Sequence, residues 1–225
     1  MQVQGIKENI KGIIFDLDGL LVNSEKLYWQ ANIEAAKEYH LNTPEDAYLK
    51  LTGATEKEMQ EFYHKYFKSI QERDQFIKRT DDLVWKWTDE RKLKLQKGVQ
   101  EALDKFQELN LPMAIASSNY DEVVQHALWA TGIRNYFNFY LSYKDVQNGH
   151  IKAKPAPDIY LLAAKKLRIS PDELLIFEDS STGVQAAENA DIKCVMIPDL
   201  IPPSAKDKQN ATMICTDFFD FLKKI

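Results

Sequence analysis

The chain contains four short apolar runs, and each ends at a polar residue or a proline. The runs are segments 12–15, 112–116, 174–177 and 193–197, which end at Asp16, Ser117, Glu178 and Pro198. Helical spacing separates them at 99–109, 121–130, 157–167 and 182–190. Because buried strands that alternate with helices form parallel sheets covered on both faces, the pattern predicts an α/β fold with a Rossmann-like, doubly wound parallel sheet.

The polar residues that follow these runs are expected to lie at one edge of the sheet. In a doubly wound sheet, ligands bind beyond the carboxyl ends of the strands. Asp16, Asp18, Ser117, Glu178 and Asp179 all stand at or just after such ends. The sequence therefore predicts a ligand site built from these residues.

Residues 24–95 differ from the rest of the chain. They are rich in Glu, Lys, Gln, Tyr and Trp, show helical spacing of apolar residues and contain no convincing strand pattern. We expect an all-helical domain at 24–95, inserted into a core formed by 1–23 and 96–225. Four aromatic residues are predicted to form the centre of this insert: Phe62, Tyr66, Trp85 and Trp87.

Composition and charge argue against several classes of function. The 225-residue chain has a formal net charge of −5, whereas nucleic-acid-binding domains usually present a basic surface. No apolar run approaches the roughly 20 residues that span a bilayer, and the first residues lack the layout of a signal peptide. Cys194 and Cys215 are expected to be reduced core thiols. We expect a cytoplasmic protein that binds neither nucleic acid nor membrane, with a monomer as the working expectation.

The segment Asp16-Leu17-Asp18-Gly19 places two carboxylates two positions apart where the first run ends. One carboxylate could attack phosphorus, and the other could protonate the leaving oxygen and then activate water. Gly19 would allow a tight turn beside a ligand. Calcium loops share this pattern, but the later glycine and glutamate of such a loop are absent. An ordinary solvated turn remains an alternative from this motif alone.

Glu178 and Asp179 provide a second pair of carboxylates. Mg²⁺ prefers oxygen ligands, and it would offset the repulsion between a carboxylate nucleophile and a phosphate dianion. The alternative is structural: the two acids would be solvated at the start of a helix, with Ser181 or Thr182 as its N-cap. The pair by itself does not decide between a metal site and a helix start.

Ser117 and Lys154 are groups that suit a phosphate. A small hydroxyl at a strand end, near backbone amides, can bind phosphate oxygens. A lysine ammonium can neutralise those oxygens. Because a single lysine is ordinarily a solvated surface group, Lys154 is a candidate only in combination with the other motifs.

In this order, the four motifs IIFDLDGLLVNSE, AIASSN, KAKPAPDIY and LLIFEDSSTGVQAA resemble the haloacid dehalogenase superfamily over nearly the whole chain. The resemblance implies that Asp16 is the nucleophile and a Mg²⁺ ligand. It implies that Asp18 is the general acid and base, and that its backbone carbonyl also binds Mg²⁺. Glu178 and Asp179 would complete the metal site. Four residues are assigned to the phosphoryl group or substrate: Ser117, Ser118, Asn119 and Lys154.

The helical insert lies between the first and second motifs, which is similar to the cap of the β-phosphoglucomutase and phosphoglycolate phosphatase branch. By that resemblance, Tyr28 stands where the mutase has a cap-linker histidine, and Glu56 where it has a cap-loop arginine. Both differences remove positive or proton-donating character from the place where a second phosphate would bind. We therefore predict a phosphoric monoester hydrolase whose substrate is a small phosphorylated metabolite, such as a sugar phosphate. A phosphosugar mutase and a non-catalytic binding protein are the alternatives.

Overall fold

A computed structural model describes residues 1–52, 54 and 56–225, without the side chain of Glu56. The prediction made for Glu56 therefore lies outside the described residues. One sheet of parallel strands runs through the described residues in the order β3-β2-β1-β4-β5-β6. The strands are β1 (Gly12–Phe15), β2 (Met113–Ala116), β3 (Phe139–Leu141), β4 (Leu174–Glu178), β5 (Lys193–Met196) and β6 (Met213–Ile214). The predicted doubly wound α/β fold is confirmed.

The insert is helical, as predicted, and no strand occurs among its described residues. Its α-helices are α1 (Ser24–Glu38), α2 (Glu56–Tyr66) and α3 (Ile70–Asp89), and a 3₁₀ helix spans Glu45–Leu51. Helices α1 and α3 pack along each other, with a buried hydrogen bond from Thr80 to Asn32. Together with α2 and the 3₁₀ helix, they form the cap.

The helices of the core domain pack against both faces of the sheet. They are α4 (Val99–Glu108), α5 (Asp121–Thr131), α6 (Tyr143–Gly149), α7 (Asp158–Leu167), α8 (Ser181–Asn189), α9 (Asp207–Asn210) and α10 (Phe218–Leu222). Two apolar clusters result, because alternate strand residues point to opposite faces. Phe15 and Phe177 stack on one face at a ring-centroid distance of 5.3 Å, while Ile14 and Ile176 belong to the other cluster. Burial on both faces explains why these strands are continuous apolar runs.

Two sequence-based expectations are corrected by the structure, and two strands were missed. The N-cap of α8 is Ser180, whose side chain accepts a hydrogen bond from the Gly183 amide, and not Ser181 or Thr182. Trp85 is 44% exposed, and it stacks on His126 of the core at a centroid distance of 4.0 Å instead of forming the centre of the cap. Strands β3 and β6 were not predicted, because both are short and partly exposed.

One further expectation agrees with the structure. Cys194 and Cys215 are buried free thiols. In the described part of the chain, no helix has the length and apolar character that crossing a membrane requires.

Candidate active site

Asp16 lies at the centre of the sheet, at the point where the strand order reverses. Strand β1 pairs with β2 on one side and β4 on the other. The Asp16 amide donates to the Phe177 carbonyl at 3.0 Å, so the ladder continues one residue beyond β1 and sets Asp16 beside the end of β4. Ligands of doubly wound sheets bind at this crevice. The predicted strand-end cluster is therefore assembled at the expected place.

Lys154 reaches this cluster from the loop before α7. Its Nζ donates to Asp16 Oδ1 at 2.6 Å and to Glu178 Oε1 at 2.7 Å, and its side chain is 4% exposed. Burial would lower the pKa of Lys154, but the two carboxylates outweigh it and raise the pKa above its usual value. Lys154 is therefore a buried ammonium, paired with two carboxylates, beside the predicted nucleophile.

Glu178 is fully buried, and both of its carboxylate oxygens accept hydrogen bonds. Oε1 accepts from Lys154 and from the Tyr160 hydroxyl at 2.6 Å. Oε2 accepts from the amides of Asp179 and Ser180 and from the Ser180 hydroxyl, at 3.0 to 3.1 Å. Burial would raise the pKa of Glu178, but Lys154 and these donors hold it below its usual value. Glu178 anchors Lys154 in this structure, and its predicted role as a metal ligand stays a prediction.

Two residues that sequence reasoning did not single out complete this arrangement. Tyr160 is a buried residue of α7 that donates to Glu178 and also lies under Lys154, with Nζ 4.7 Å from the ring centroid. Gly183 is needed because a Cβ there would lie 1.7 Å from Glu178 Oε1. Tyr160 could not be recognised from the sequence because an aromatic residue inside a helix is ordinarily part of the core.

Asp18 lies on the other side of Asp16, close to the end of β2. Its Oδ2 accepts from the Ser117 hydroxyl and the Asn119 side-chain amide, each at 3.3 Å. Burial raises the pKa of Asp18, and the hydrogen bonds to its carboxylate oppose that rise. Ser118 is exposed. The structure thus brings Ser117 and Asn119 to Asp18, and Lys154 to Asp16.

Asp179 and Glu25 add two more carboxyl groups to the cluster around Asp16 and Asp18. Burial and then the charges of Glu178 and Asp16 raise the pKa of Asp179 well above its usual value. Burial, again the largest cause, raises the pKa of Asp16 to about 7 although Lys154 opposes it. The pKa of Glu25, in the first turn of α1, rises to about 8 through burial and the charge of Asp18. Glu25 was not predicted, because an acid in the first helical turn has an ordinary explanation in the helix dipole.

This excess of carboxyl groups fits a divalent cation. Among the described residues, no group of three or more His, Cys, Asp or Glu side chains is already arranged as a metal cage. The donors are nevertheless the oxygen ligands that Mg²⁺ prefers. Gly19 leaves room for the Asp179 carboxylate, whose Oδ2 would lie 2.2 Å from a Cβ at that position. The carboxylates of Asp16 and Asp179 and the Asp18 carbonyl are the groups that would hold the ion.

Tyr28, the residue at the mutase histidine position, lies in the cap next to the core site. Burial raises the pKa of Tyr28 above its usual value, with the charges of Asp81 and Asp18 adding to it, while its interaction with the Asn119 side chain opposes the rise. A neutral phenol therefore occupies this position.

Comparison with known proteins agrees with the fold and identifies the family. The model of the haloacid dehalogenase-like hydrolase family matches residues 13–197, and the chain belongs to this family. The phosphorylated carbohydrates phosphatase of Thermotoga maritima is 30% identical over 184 residues, covering 82% of this chain and 83% of that protein. The fructose-1-phosphate phosphatase YqaB of Escherichia coli is 26% identical over 192 residues, covering 84% and 96%.

A solved structure extends the likeness to the cap. β-Phosphoglucomutase from Clostridium difficile is similar with a TM-score of 0.68 and 22% identity, over 92% of this chain and 90% of that chain. At this identity the likeness concerns the fold alone. The predicted enzyme class, a phosphoric monoester hydrolase, is confirmed by the phosphatases among the relatives.

Proposed function

We propose that the protein is a Mg²⁺-dependent phosphatase that hydrolyses small phosphomonoesters, sugar phosphates foremost, through an aspartyl-phosphate on Asp16. The observation that carries the proposal is the pairing of Asp16 with a buried ammonium, 2.6 Å away, at the switch point of the sheet. The relatives named as phosphatases of phosphorylated carbohydrates and of fructose 1-phosphate support the substrate class.

Asp16 is the group that attacks phosphorus. Lys154 occupies Asp16 Oδ1, which leaves Oδ2 for the attack and orients the carboxylate. The ammonium also attracts the phosphoryl oxygens and stabilises the charge that develops on them. When bound, Mg²⁺ would neutralise the remaining negative charge shared by the phosphate and the carboxylates.

Asp18 is the acid and base of the two half-reactions. In the first, its proton passes to the ester oxygen as the bond from phosphorus to that oxygen breaks. In the second, it accepts a proton from the water that attacks the aspartyl-phosphate. The hydrogen bonds from Ser117 and Asn119 orient its carboxyl group.

The mutase alternative is not favoured. A mutase must hold a second phosphate while the first is transferred, and Tyr28 offers a neutral hydroxyl beside Asp18 and Asp81 in place of a cation. The non-catalytic alternative does not account for the buried Lys154 between Asp16 and Glu178, since burying charge is costly and is retained where it serves a purpose.

The test is phosphate release from a panel of sugar monophosphates with and without the Asp16→Asn substitution. The amide is a poor nucleophile, so we expect release to fall by about a thousandfold or more. Acid-quenched wild-type enzyme should carry labelled phosphate on Asp16 after mixing with a labelled substrate. Label on another residue, or turnover by the variant near the wild-type rate, would refute the nucleophile assignment.

A further inference from the structure

The cap contains a cavity of about 190 Å³ between α1, α3, α2 and the 3₁₀ helix. Its lining combines aromatic rings with hydroxyl and carboxyl groups, among them Tyr28, Tyr48, Tyr63, Thr80 and Asp81. A cavity of this size is below the range of sites for drug-sized ligands. It suits a group with the dimensions of a single sugar or polyol.

The cavity adjoins the Asp18 side of the site, and it shares Thr52 with the cleft beside Asp179. Tyr28 lines it and interacts with Asn119, which donates to Asp18. Glu25 also lines it, and its Cγ would lie 3.1 Å from a Cβ placed on Gly19, the residue after Asp18. Because the acid that protonates the leaving oxygen must face it, the leaving alcohol of the proposed reaction lies on this side.

The polar groups of the cavity are suited to hydroxyl partners. Thr80 and Asn32 are buried and form a hydrogen bond with each other at 3.2 Å. Glu25, Tyr28 and Asp81 add carboxyl and hydroxyl groups to the lining. Such groups form hydrogen bonds with the hydroxyls of a polyhydroxylated ligand.

The ionisable groups that line the cavity are acids. Among the described residues that line it there is no lysine, arginine or histidine, whereas Glu25 and Asp81 contribute carboxyl groups. Asp81 is an exposed residue. Desolvation by its surroundings and then the charge of Asp82 raise the pKa of Asp81 to about 6, while Lys78 opposes the rise, so Asp81 is ionised at pH 7.5. An anionic group placed here would meet the charge of Asp81. Lys78, which also acts on Asp81, pairs with Asp82 and is not among the lining residues.

We propose that this cavity binds the leaving alcohol of the substrate and selects polyhydroxylated alcohols that are neutral or carry an amine, while Asp81 rejects those with a carboxylate or a second phosphate. The proposal rests on the proposed phosphatase function and deepens it. Asp81 acts by its charge on the part of the substrate that does not react.

The test uses three probes of one carbon skeleton that differ in charge: glucosamine 6-phosphate, glucose 6-phosphate and 6-phosphogluconate. We measure kcat/KM with Mg²⁺ at pH 7.5. A charge interaction equivalent to one pKa unit corresponds to a factor of ten, so we expect 6-phosphogluconate to be about tenfold or more below glucose 6-phosphate. The kcat/KM of glucosamine 6-phosphate should equal or exceed that of glucose 6-phosphate.

Substitutions assign the selectivity to Asp81. Asp81→Asn should reduce the discrimination against 6-phosphogluconate by about threefold or more, and Asp81→Lys should reverse the order of the probes. The matched control is Glu34→Gln, because Glu34 is an exposed acid of α1 in the same cap and does not line the cavity. The control should leave all three ratios unchanged.

p-Nitrophenyl phosphate separates failure of this inference from failure of the proposed function. If this aryl ester and the three probes all release no phosphate, the phosphatase assignment itself is wrong. If the aryl ester is hydrolysed while the three probes are untouched, or react equally, the cavity does not select the alcohol as proposed. Preference for 6-phosphogluconate would overturn the proposal and direct attention to the cleft beside Asp179, which Lys50 lines.

Discussion

At the scale of single residues, the site is a balance between several buried acids and one lysine. Lys154 contacts Asp16 and Glu178, and the remaining acids beside it are Asp18 and Asp179. Both carboxylate oxygens of Glu178 accept hydrogen bonds, and one of them holds the Lys154 ammonium in place. In the proposed function, a bound cation offsets the charge of the other acids.

The Asp18→Asn substitution tests the acid and base role most directly. The variant keeps the backbone carbonyl and nearly the same volume but loses the transferable proton, which typically costs a factor of about 100 to 10,000. An aryl phosphate should still phosphorylate Asp16, because a phenolate leaves with little assistance, whereas an alkyl phosphate should not. With the aryl substrate we expect a burst of phenol near one equivalent per enzyme, followed by slow turnover. Stopped-flow absorbance measures the burst.

Ser118→Ala serves as the comparison for this experiment. Ser118 is exposed next to Ser117, and its substitution should not produce a burst. If Asp18→Asn lowers aryl and alkyl ester hydrolysis equally and shows no burst, Asp18 positions the site without transferring protons.

At the scale of elements, one residue, Ser180, both begins α8 and holds Glu178 of the candidate site. Ser180 caps the helix by accepting from the Gly183 amide, and its own amide and hydroxyl donate to Glu178. The first turn of α8 therefore lies directly against the Glu178 carboxylate. A change in this turn should alter both the stability of the helix and the position of Lys154.

Gly183→Ala is the substitution that separates helix propensity from this contact. Alanine in place of glycine inside a helix ordinarily stabilises it by up to about 1 kcal/mol. Here the new Cβ would lie 1.7 Å from Glu178 Oε1, and the carboxylate could move only by losing its buried hydrogen bonds. We expect a loss of about 1–3 kcal/mol in the free energy of unfolding, together with a lower kcat. Urea unfolding and steady-state kinetics measure the two effects.

Gly149→Ala is the matched control, since Gly149 ends α6 and a Cβ there would meet Ile151 at an ordinary distance of 3.6 Å. It should change stability little and leave kcat unaffected. Equal behaviour of the two alanine variants would mean that the Glu178 contact does not constrain α8.

At the scale of the whole molecule, cap and core each contribute acid to one cleft. Glu25 comes from the cap, and Asp18 and Asp179 come from the core. A second contact between the two parts joins Trp85 to His126, whose Nε2 lies 2.9 Å from Asp89 of the cap. Repulsion among the buried acids opposes the folded, metal-free state, while a bound cation would favour it.

We expect Mg²⁺ to raise the melting temperature of the whole protein, because a ligand that binds only the folded state stabilises it, by about 2.7 kcal/mol at a hundred times its Kd. Asp179→Asn removes one repelling carboxylate. The metal-free variant should therefore melt above the metal-free wild type, and its response to Mg²⁺ should be smaller. Differential scanning calorimetry with chelator and with Mg²⁺ gives both comparisons. Equal Mg²⁺ shifts in the two proteins would exclude Asp179 from the metal site.

The sequence alone was enough for the parts of the fold and site that depend on local pattern. Strands β1, β2, β4 and β5 are buried on both faces, so each is a continuous apolar run that can be recognised without knowing its neighbours. The place of Asp16 in the site could be predicted because Asp16 ends the first of these runs, and the carboxyl ends of central parallel strands meet at one edge of the sheet. Strands β3 and β6 escaped prediction because their partial exposure leaves no such run.

Only the tertiary structure decided which charged groups face each other. Lys154 and Asp16 are 138 positions apart, and nothing local to either residue indicates that they pair. The same holds for Tyr160 beneath Lys154 and for Asp81 in the cap cavity, whose surroundings come from separate helices. Trp85 is a large aromatic residue of the kind that usually fills the interior of a domain. Its position on α3 instead places it against His126 of helix α5. Local pattern determines which residues form strands and helices, whereas the partners of a side chain depend on how those elements pack.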